Sequence, residues 1–185
     1  GLQPTPPHPP TRDSGTRAGM RSQPWLCLLL LLLRSARGYR LPKPPEQLLQ
    51  RSAYPHFERI QTRWNDNDKF GHINNALYYV FMDDAVNNQL SSSGIGFDVL
   101  RYTSENSMRY LRQMSYPTPV DVGLRVKLGR SSAAYEIGIF EADAPTASAV
   151  GTFTHIYVNS AGKPCKMAGA VRECLQRLVP QLAET

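Results

Sequence analysis

Hydrophobic and polar positions change pattern twice along the middle of the chain. From Phe57 to Trp64 apolar and polar side chains interleave roughly as in a half-buried strand. Asn, Asp and Gly then gather between Asn65 and Gly71. Their side chains bond nearby backbone, or their backbone accepts unusual dihedrals, and a loop is expected. Asn74 or Asn75 suits a helix N-cap, and good helix formers run from Ala76 to about Leu90. The first half of that helix, Leu77 to Met82, is apolar almost all round, the pattern of a helix buried in a core. Asp83 and Asp84 interrupt it, either where the helix emerges or as a second polar feature.

Downstream the period becomes two. Ser91 to Gly96 is loop material, and Phe97 to Leu100 is expected to pack its apolar side chains back onto the domain. Met108, Tyr110, Met114 and Tyr116 suggest a bent strand that ends at Pro117 and Pro119. Val122, Leu124, Val126 and Leu128 alternate with Gly123, Arg125, Lys127 and Gly129, which predicts a strand with one buried face. After a turn at Gly129 to Ser132, alternation resumes through Tyr135, Ile137 and Ile139, and Val150 to Val158 supplies another strand. Met167 to Leu178 places Val171, Leu175 and Leu178 on one face of a terminal helix. One long helix followed by consecutive strands predicts an antiparallel sheet and the α+β class.

Charge separates this domain from what precedes it. The formal net charge is +6, with eight Lys or Arg against two acids in residues 1–53 and thirteen of each in residues 54–185. The domain therefore has no excess of base for a nucleic-acid face. Residues 1–19 are rich in Pro, Thr and Arg with no apolar period and are expected to be disordered. From Met20 the chain reads Arg21, an apolar run from Trp25 to Leu33, then Arg34, Arg37 and Arg40, with no acid before Glu46. That is a targeting segment, too short for a stable membrane span, which takes about 20 apolar residues. The Pro-rich residues 41–45 set it apart, so a leader over 1–45 and a domain over 54–180 are expected. The leucine run resembles a secretory core, the repeated arginines a mitochondrial presequence. No N-x-[ST] sequon occurs and only Cys165 and Cys174 follow the leader, so nothing demands an oxidising compartment. Mitochondria are the favoured address and the secretory pathway the alternative.

The side-chain chemistry concentrates where the loop meets the helix, in Asp66, Asp68, His72, Asn74 and Asn75. A helix N-terminus offers free N–H groups and the positive end of its dipole to developing negative charge. Asp66 and Asp68, two positions apart, face one side if the backbone is extended. A carboxylate beside such amides is half of an acyl-transfer site. The D-x-D-x-x-G run also begins like a calcium loop. Phe70 and Leu77, however, stand at the fifth and twelfth positions, where oxygen ligands are needed, so no metal is expected. No C-x-x-C, Ser-His-Asp pattern or glycine-rich phosphate loop is apparent.

Arg63, Trp64, Asp66, Asp68, Gly71, His72, Ile73, Asn74, Asn75, Ala76 and Tyr78 together resemble the signature of the 4-hydroxybenzoyl-CoA thioesterase-like family of hotdog-fold acyl-CoA thioesterases. The resemblance implies an antiparallel sheet wrapped around a long central helix from about Tyr54 to Val179. It implies hydrolysis of an acyl-CoA to a free acid and coenzyme A without a cofactor. It also implies a homodimer, or a tetramer of dimers, with active sites between protomers. Asp68 is then the catalytic carboxylate, as nucleophile or general base, and His72 assists it or orders the loop. Gly71, Ile73, Asn74 and Asn75 shape the oxyanion-binding amides, and Asp66 holds the loop. Ser131 and Ser132, in a turn with Arg130, are candidates to meet coenzyme A phosphate oxygens, although a plain hairpin turn explains them as well. Arg109 and Arg112 are strand-surface charges or phosphate contacts. Tyr78, Tyr79, Phe81 and Met82 fill the core or line an acyl tunnel, and core is expected. The competing reading is a non-catalytic hotdog domain that binds acyl-CoA or an acyl carrier. Asp68 speaks against it, because a pure binder gains little from an unpaired buried carboxylate.

Overall fold

A computed structural model describes residues 42–180, which apart from Pro42 belong to the compact unit Lys43–Thr185. The targeting segment expected from about Met20 lies outside the described residues. Five strands, β1 (His56–Ile60), β2 (Arg101–Tyr110), β3 (Val120–Leu128), β4 (Ser132–Glu141) and β5 (Ala149–Tyr157), form one antiparallel sheet in the order β1-β3-β4-β5-β2. Helix α1 (Leu77–Ser92) packs on one face, and a shorter helix α2 (Gly169–Gln176) closes the same core. This is the α+β hotdog arrangement that the resemblance implies.

Helix α1 buries Tyr78, Phe81, Met82, Ala85, Val86 and Leu90 against the inward residues of β3 and β4, among them Val122, Leu124, Ile137 and Ile139. The remaining apolar residues of its first half are not sealed: Leu77 and Tyr79 are half-buried and Val80 is exposed. The helix thus buries a stripe and not its whole circumference. Asp83 and Asp84 face solvent where it emerges. Helix α2 is shorter than the Met167 to Leu178 expected, but Val171, Leu175 and Leu178 are buried.

Strand β3 departs from expectation, because Val120 to Val126 is buried on both faces. Gly123 and Gly138 are register partners, and the Tyr54 ring lies over both. A Cβ at Gly138 would come within 2.7 Å of that ring, so glycine is what admits it. Tyr54 stacks edge-on with Phe57 and Phe140, and its hydroxyl donates to the Leu48 carbonyl at 2.7 Å. The two 3-10 turns Glu46–Leu49 and Arg51–Ala53 accompany it, with the Arg51 N–H bonded to the Pro145 carbonyl. Asp121, 1% exposed, accepts from Arg51 at 2.6 Å, from Arg59 at 2.7 Å and from the Asp143 N–H at 3.1 Å. Glycines and charges at outward positions read as a wet face in the sequence, yet here they are the seat of a second, aromatic cluster.

Strand β2 begins at Arg101, ahead of the expected Met108, and ends at Tyr110, so Met114 and Tyr116 lie beyond it. Residues 102–107 are all exposed. With β5 on one side and no strand on the other among the described residues, β2 is a sheet edge, and its polar composition leaves no alternation to read. Phe97 and Leu100 do not pack back as expected, being 83% and 44% exposed, while Val99 between them packs against the core.

Two buried titratable groups make stability depend on pH in separate windows. His155 on β5 is 4% exposed and its Nδ1 has no partner among the described residues. Burial, and then the positive charge of Arg101, push its pKa from 6.5 down to about 4. The unfolded chain therefore takes up a proton that the folded chain refuses, and stability falls as pH drops from 6.5 to 4. For Asp121, burial alone would raise the pKa. The hydrogen bonds from Arg59, the Asp143 amide and Arg51 outweigh it and hold the carboxyl at about 2, so its contribution is present above 3.8 and lost toward 2. The urea midpoint is expected to fall in both windows, the first drop amounting to about 3 kcal/mol. His155→Phe should abolish the first drop and leave the second. A wild-type midpoint that is flat across the first window would contradict this.

Candidate active site

The chain between β1 and α1 folds on itself through its own polar side chains. Arg63 starts a tight turn in which Asp66, 1% exposed, accepts from the Arg63 N–H at 2.7 Å and from its guanidinium Nε at 3.1 Å. Asn67 and Ile73 then pair as an antiparallel bridge, and between them the Asp68 N–H donates to the His72 carbonyl at 2.7 Å. Gly71, with φ +79°, turns the loop, and its N–H bonds the Asp68 carbonyl at 3.0 Å. Asp68 Oδ1 accepts from the Phe70 and His72 amides at 2.8 and 3.3 Å, whereas Oδ2 has no hydrogen-bond partner among the described residues. One carboxylate oxygen fixes the orientation of the group, and the other is left available.

The amides that lead into α1 are unequal. The Ile73 N–H donates to Met114 O and the Asn74 N–H to Asp66 O, each at 2.8 Å. The Ala76 N–H donates to Asn74 Oδ1 at 3.0 Å and the Leu77 N–H to Asn74 O at 2.9 Å. Among these the Asn75 N–H alone has no acceptor among the described residues. A cavity of about 800 Å³ opens at this point, lined by Asp68, His72 and Ile73 from the loop, Asn75 just ahead of α1, Tyr78 in its first turn, Tyr110 at the end of β2 and Arg112 just beyond it. A carboxylate with a free oxygen and an unpaired amide at the positive end of a 16-residue helix therefore share one cavity. An acyl carbonyl placed there can be attacked at carbon while its oxygen is held.

Of the residues singled out from the sequence, Asp68, His72, Ile73 and Asn75 line the cavity. The Ile73 and Asn74 amides are already spent on carbonyls, which leaves Asn75 to donate. The N-cap of α1 is Ala76, without a side-chain cap bond, and not Asn74 or Asn75 as expected, while Asn74 holds the turn ahead of the helix by accepting from the Ala76 N–H. Gly71 serves the turn. The half-buried His72 imidazole makes no hydrogen bond to the described residues. Asp66 is consumed in holding the loop. Ser131 and Ser132 are not brought to the cavity within the chain. Ser132 pairs with Ile156, whereas Ile139 pairs with Ala149, the partner of Tyr110. Seven residues of strand, at about 3.3 Å each, separate the two ends. The Ser132 carbonyl accepts from the Gly129 amide, as in a hairpin turn, and the Ser131 carbonyl from the Tyr157 amide of β5.

Two lining residues had no functional reading or a divided one. Arg112 donates to the Thr146 carbonyl and hydroxyl at the rim. Tyr110 donates from its hydroxyl to the Asn75 carbonyl at 3.0 Å. The only sequence signal for Tyr110 is its spacing of two from Met108, which packs against the core.

A model of the thioesterase superfamily matches residues 70–148, a span that takes in α1 and β2 to β4 and begins two positions after Asp68. The chain is similar to the PA5185 protein of Pseudomonas aeruginosa, with 35% identity and a TM-score of 0.69 over 72% of this chain and 97% of that one. It is also similar to a thioesterase of Thermus thermophilus solved with coenzyme A and zinc, with 26% identity and a TM-score of 0.60 over 68% of this chain and 95% of the other. A 1,4-dihydroxy-2-naphthoyl-CoA thioesterase of Synechocystis shares the fold at 12% identity, with a TM-score of 0.61 over 65% of this chain and 94% of the other. A search of the curated proteins finds no match.

Proposed function

The chain belongs to the thioesterase superfamily, and from that premise we propose that it hydrolyses an acyl-CoA thioester to a free acid and coenzyme A, with Asp68 as the reacting carboxylate and the Asn75 N–H as the oxyanion donor. The observation that carries the reading is the sharing of one cavity by Asp68 and the Asn75 amide, the Asp68 Oδ2 and the Asn75 N–H both being without a partner among the described residues. The coenzyme A held by the Thermus thermophilus thioesterase supports the substrate class.

Two routes are open to the carboxylate. As a general base, Asp68 takes a proton from water while the water oxygen bonds the thioester carbon. The carbonyl oxygen gains the charge and is held by the Asn75 N–H and the helix dipole. Collapse breaks the C–S bond, and the departing thiolate takes up the proton. As a nucleophile, Asp68 bonds the carbon itself and expels the thiolate, and water then cleaves the resulting mixed anhydride. A single turnover in heavy-oxygen water tests the second route: label in the Asp68 carboxylate arises only when water attacks the Asp68 carbonyl carbon of the anhydride, whereas attack at the acyl carbon labels the acid product, as the first route does.

We further propose a homodimer joined along β2. Its support is the edge of β2, which has no neighbouring strand beyond β5 among the described residues, beside exposed aromatics at the cavity rim, Phe70 at 70% and Tyr110 at 40%. Light scattering on the full chain tests it, and a stable, active monomer would refute it. The function itself is tested by thiol release from short, long and aromatic acyl-CoAs. Saturable binding with no turnover on any of them would make this a binding domain.

A further inference from the structure

We propose that Tyr110 is a positioning residue for the oxyanion donor: its hydroxyl holds the Asn75 carbonyl and so fixes the backbone that presents the Asn75 N–H to the cavity. The inference rests on the thioesterase reading above and adds a residue outside the loop and helix.

In a regular first turn the Tyr79 N–H would reach back four residues to the Asn75 carbonyl. Here it goes to Ala76 O at 3.2 Å, and the Asn75 carbonyl accepts instead from the Tyr110 hydroxyl at 3.0 Å. The residue with the unpaired amide is therefore held at its other end by a side chain from a different element. That side chain is itself fixed in two ways. Its ring meets Tyr78 edge-on, with centroids 5.0 Å apart and planes at 87°. Its backbone closes β2 opposite Ala149, and the next two amides, Leu111 and Arg112, both donate to Ser148 O at 2.8 and 2.9 Å. Without the hydroxyl, the Asn75 carbonyl has no other donor among the described residues. The residue is then free to rotate about its own backbone, and the aim of its N–H is set by the loop alone. Misplacement of a donor by a fraction of an ångström matters more to the transition state than to the bound substrate.

Tyr110→Phe removes one oxygen and keeps the ring against Tyr78. In the full-length protein, kcat on the best acyl-CoA should fall roughly tenfold or more, with KM within about twofold and an unchanged melting temperature. Ser160→Ala, which removes an exposed hydroxyl from the turn after β5, should leave turnover at the wild-type level. The Asn75 amide resonance in labelled protein should shift in the Tyr110 variant and stay in the Ser160 variant. An unchanged kcat for Tyr110→Phe, or an equal loss for Ser160→Ala, overturns the proposal. If the wild type hydrolyses no thioester, the thioesterase reading fails separately, and an unmoved Asn75 resonance would still overturn the role of Tyr110.

Discussion

Asp68→Asn should lower kcat by three orders of magnitude or more while leaving the melting curve where it was. Asparagine has the shape of aspartate and keeps a carbonyl oxygen, so the Phe70 and His72 amides, now bonded to Asp68 Oδ1 at 2.8 and 3.3 Å, retain their acceptor. The loop should therefore hold. What disappears is the negative charge at the unpartnered Oδ2, which becomes an amide that neither takes a proton nor attacks a carbonyl. Loss of a general base alone costs about 10²–10⁴ in rate, and loss of a nucleophile removes the covalent route altogether. KM should change little, because the group acts on the reacting carbon and not on the bulk of the substrate. Asp68→Ala is a poorer test, since it also releases two backbone amides. The measurement is kcat and KM on the best acyl-CoA beside a thermal melt. Comparable turnover in mutant and wild type would sink the assignment.

Strands β3 and β4 are legible because period two runs along each, the loop because Asn, Asp and Gly cluster in it, and the central helix because good helix formers follow that polar cluster without a break. The elements that were misread share a cause: their neighbours are remote in sequence. Among the described residues strand β2 pairs on one side only, and with residues 102–107 all exposed neither face imposes alternation, so Thr103 to Ser107 looks like loop. The outer face of β3 looks wet because Gly123, Arg125 and Asp121 point there. What covers it is Tyr54, Phe57 and Arg51 from upstream, and Phe140 from β4. Phe97 and Leu100 are apolar yet exposed, and hydrophobicity by itself does not say where a side chain finds cover.

The site divides in the same way. Asp68, His72 and Asn75 were visible as a local cluster because the loop that presents them is built from its own side chains. Which amide stays free was not visible. That is decided by Met114 O taking the Ile73 N–H and Asp66 O taking the Asn74 N–H, and one of these acceptors lies 41 residues away. The hydroxyl of Tyr110, 35 residues from Asn75, belongs with them. Ser131 and Ser132 share a turn with Arg130 in the sequence, and the register of β4 places that turn at the end of the sheet away from this chain's cavity.

Asn75→Pro should be as damaging to turnover as the loss of any oxyanion donor, about 10²–10³ in kcat, and nearly harmless to the fold. Proline deletes one N–H, and at position 75 that N–H bonds nothing among the described residues. The residue stands just ahead of α1, where a fixed φ near −65° suits the entry into a helix. The preceding Asn74 lies outside the helix, accepting from the Ala76 N–H with its side chain and from the Leu77 N–H with its carbonyl, and a following proline favours extended backbone there. The carbonyl that accepts from Tyr110 remains. Asn75→Ala serves as the control: it removes the side chain, keeps the amide, and should retain most of the activity. If the proline variant melts like wild type and has lost its turnover while the alanine variant has not, the backbone amide is the donor. If the proline variant turns over within a few-fold of wild type, another group holds the oxyanion, and the chemistry of this cavity has to be assigned without the helix N-terminus.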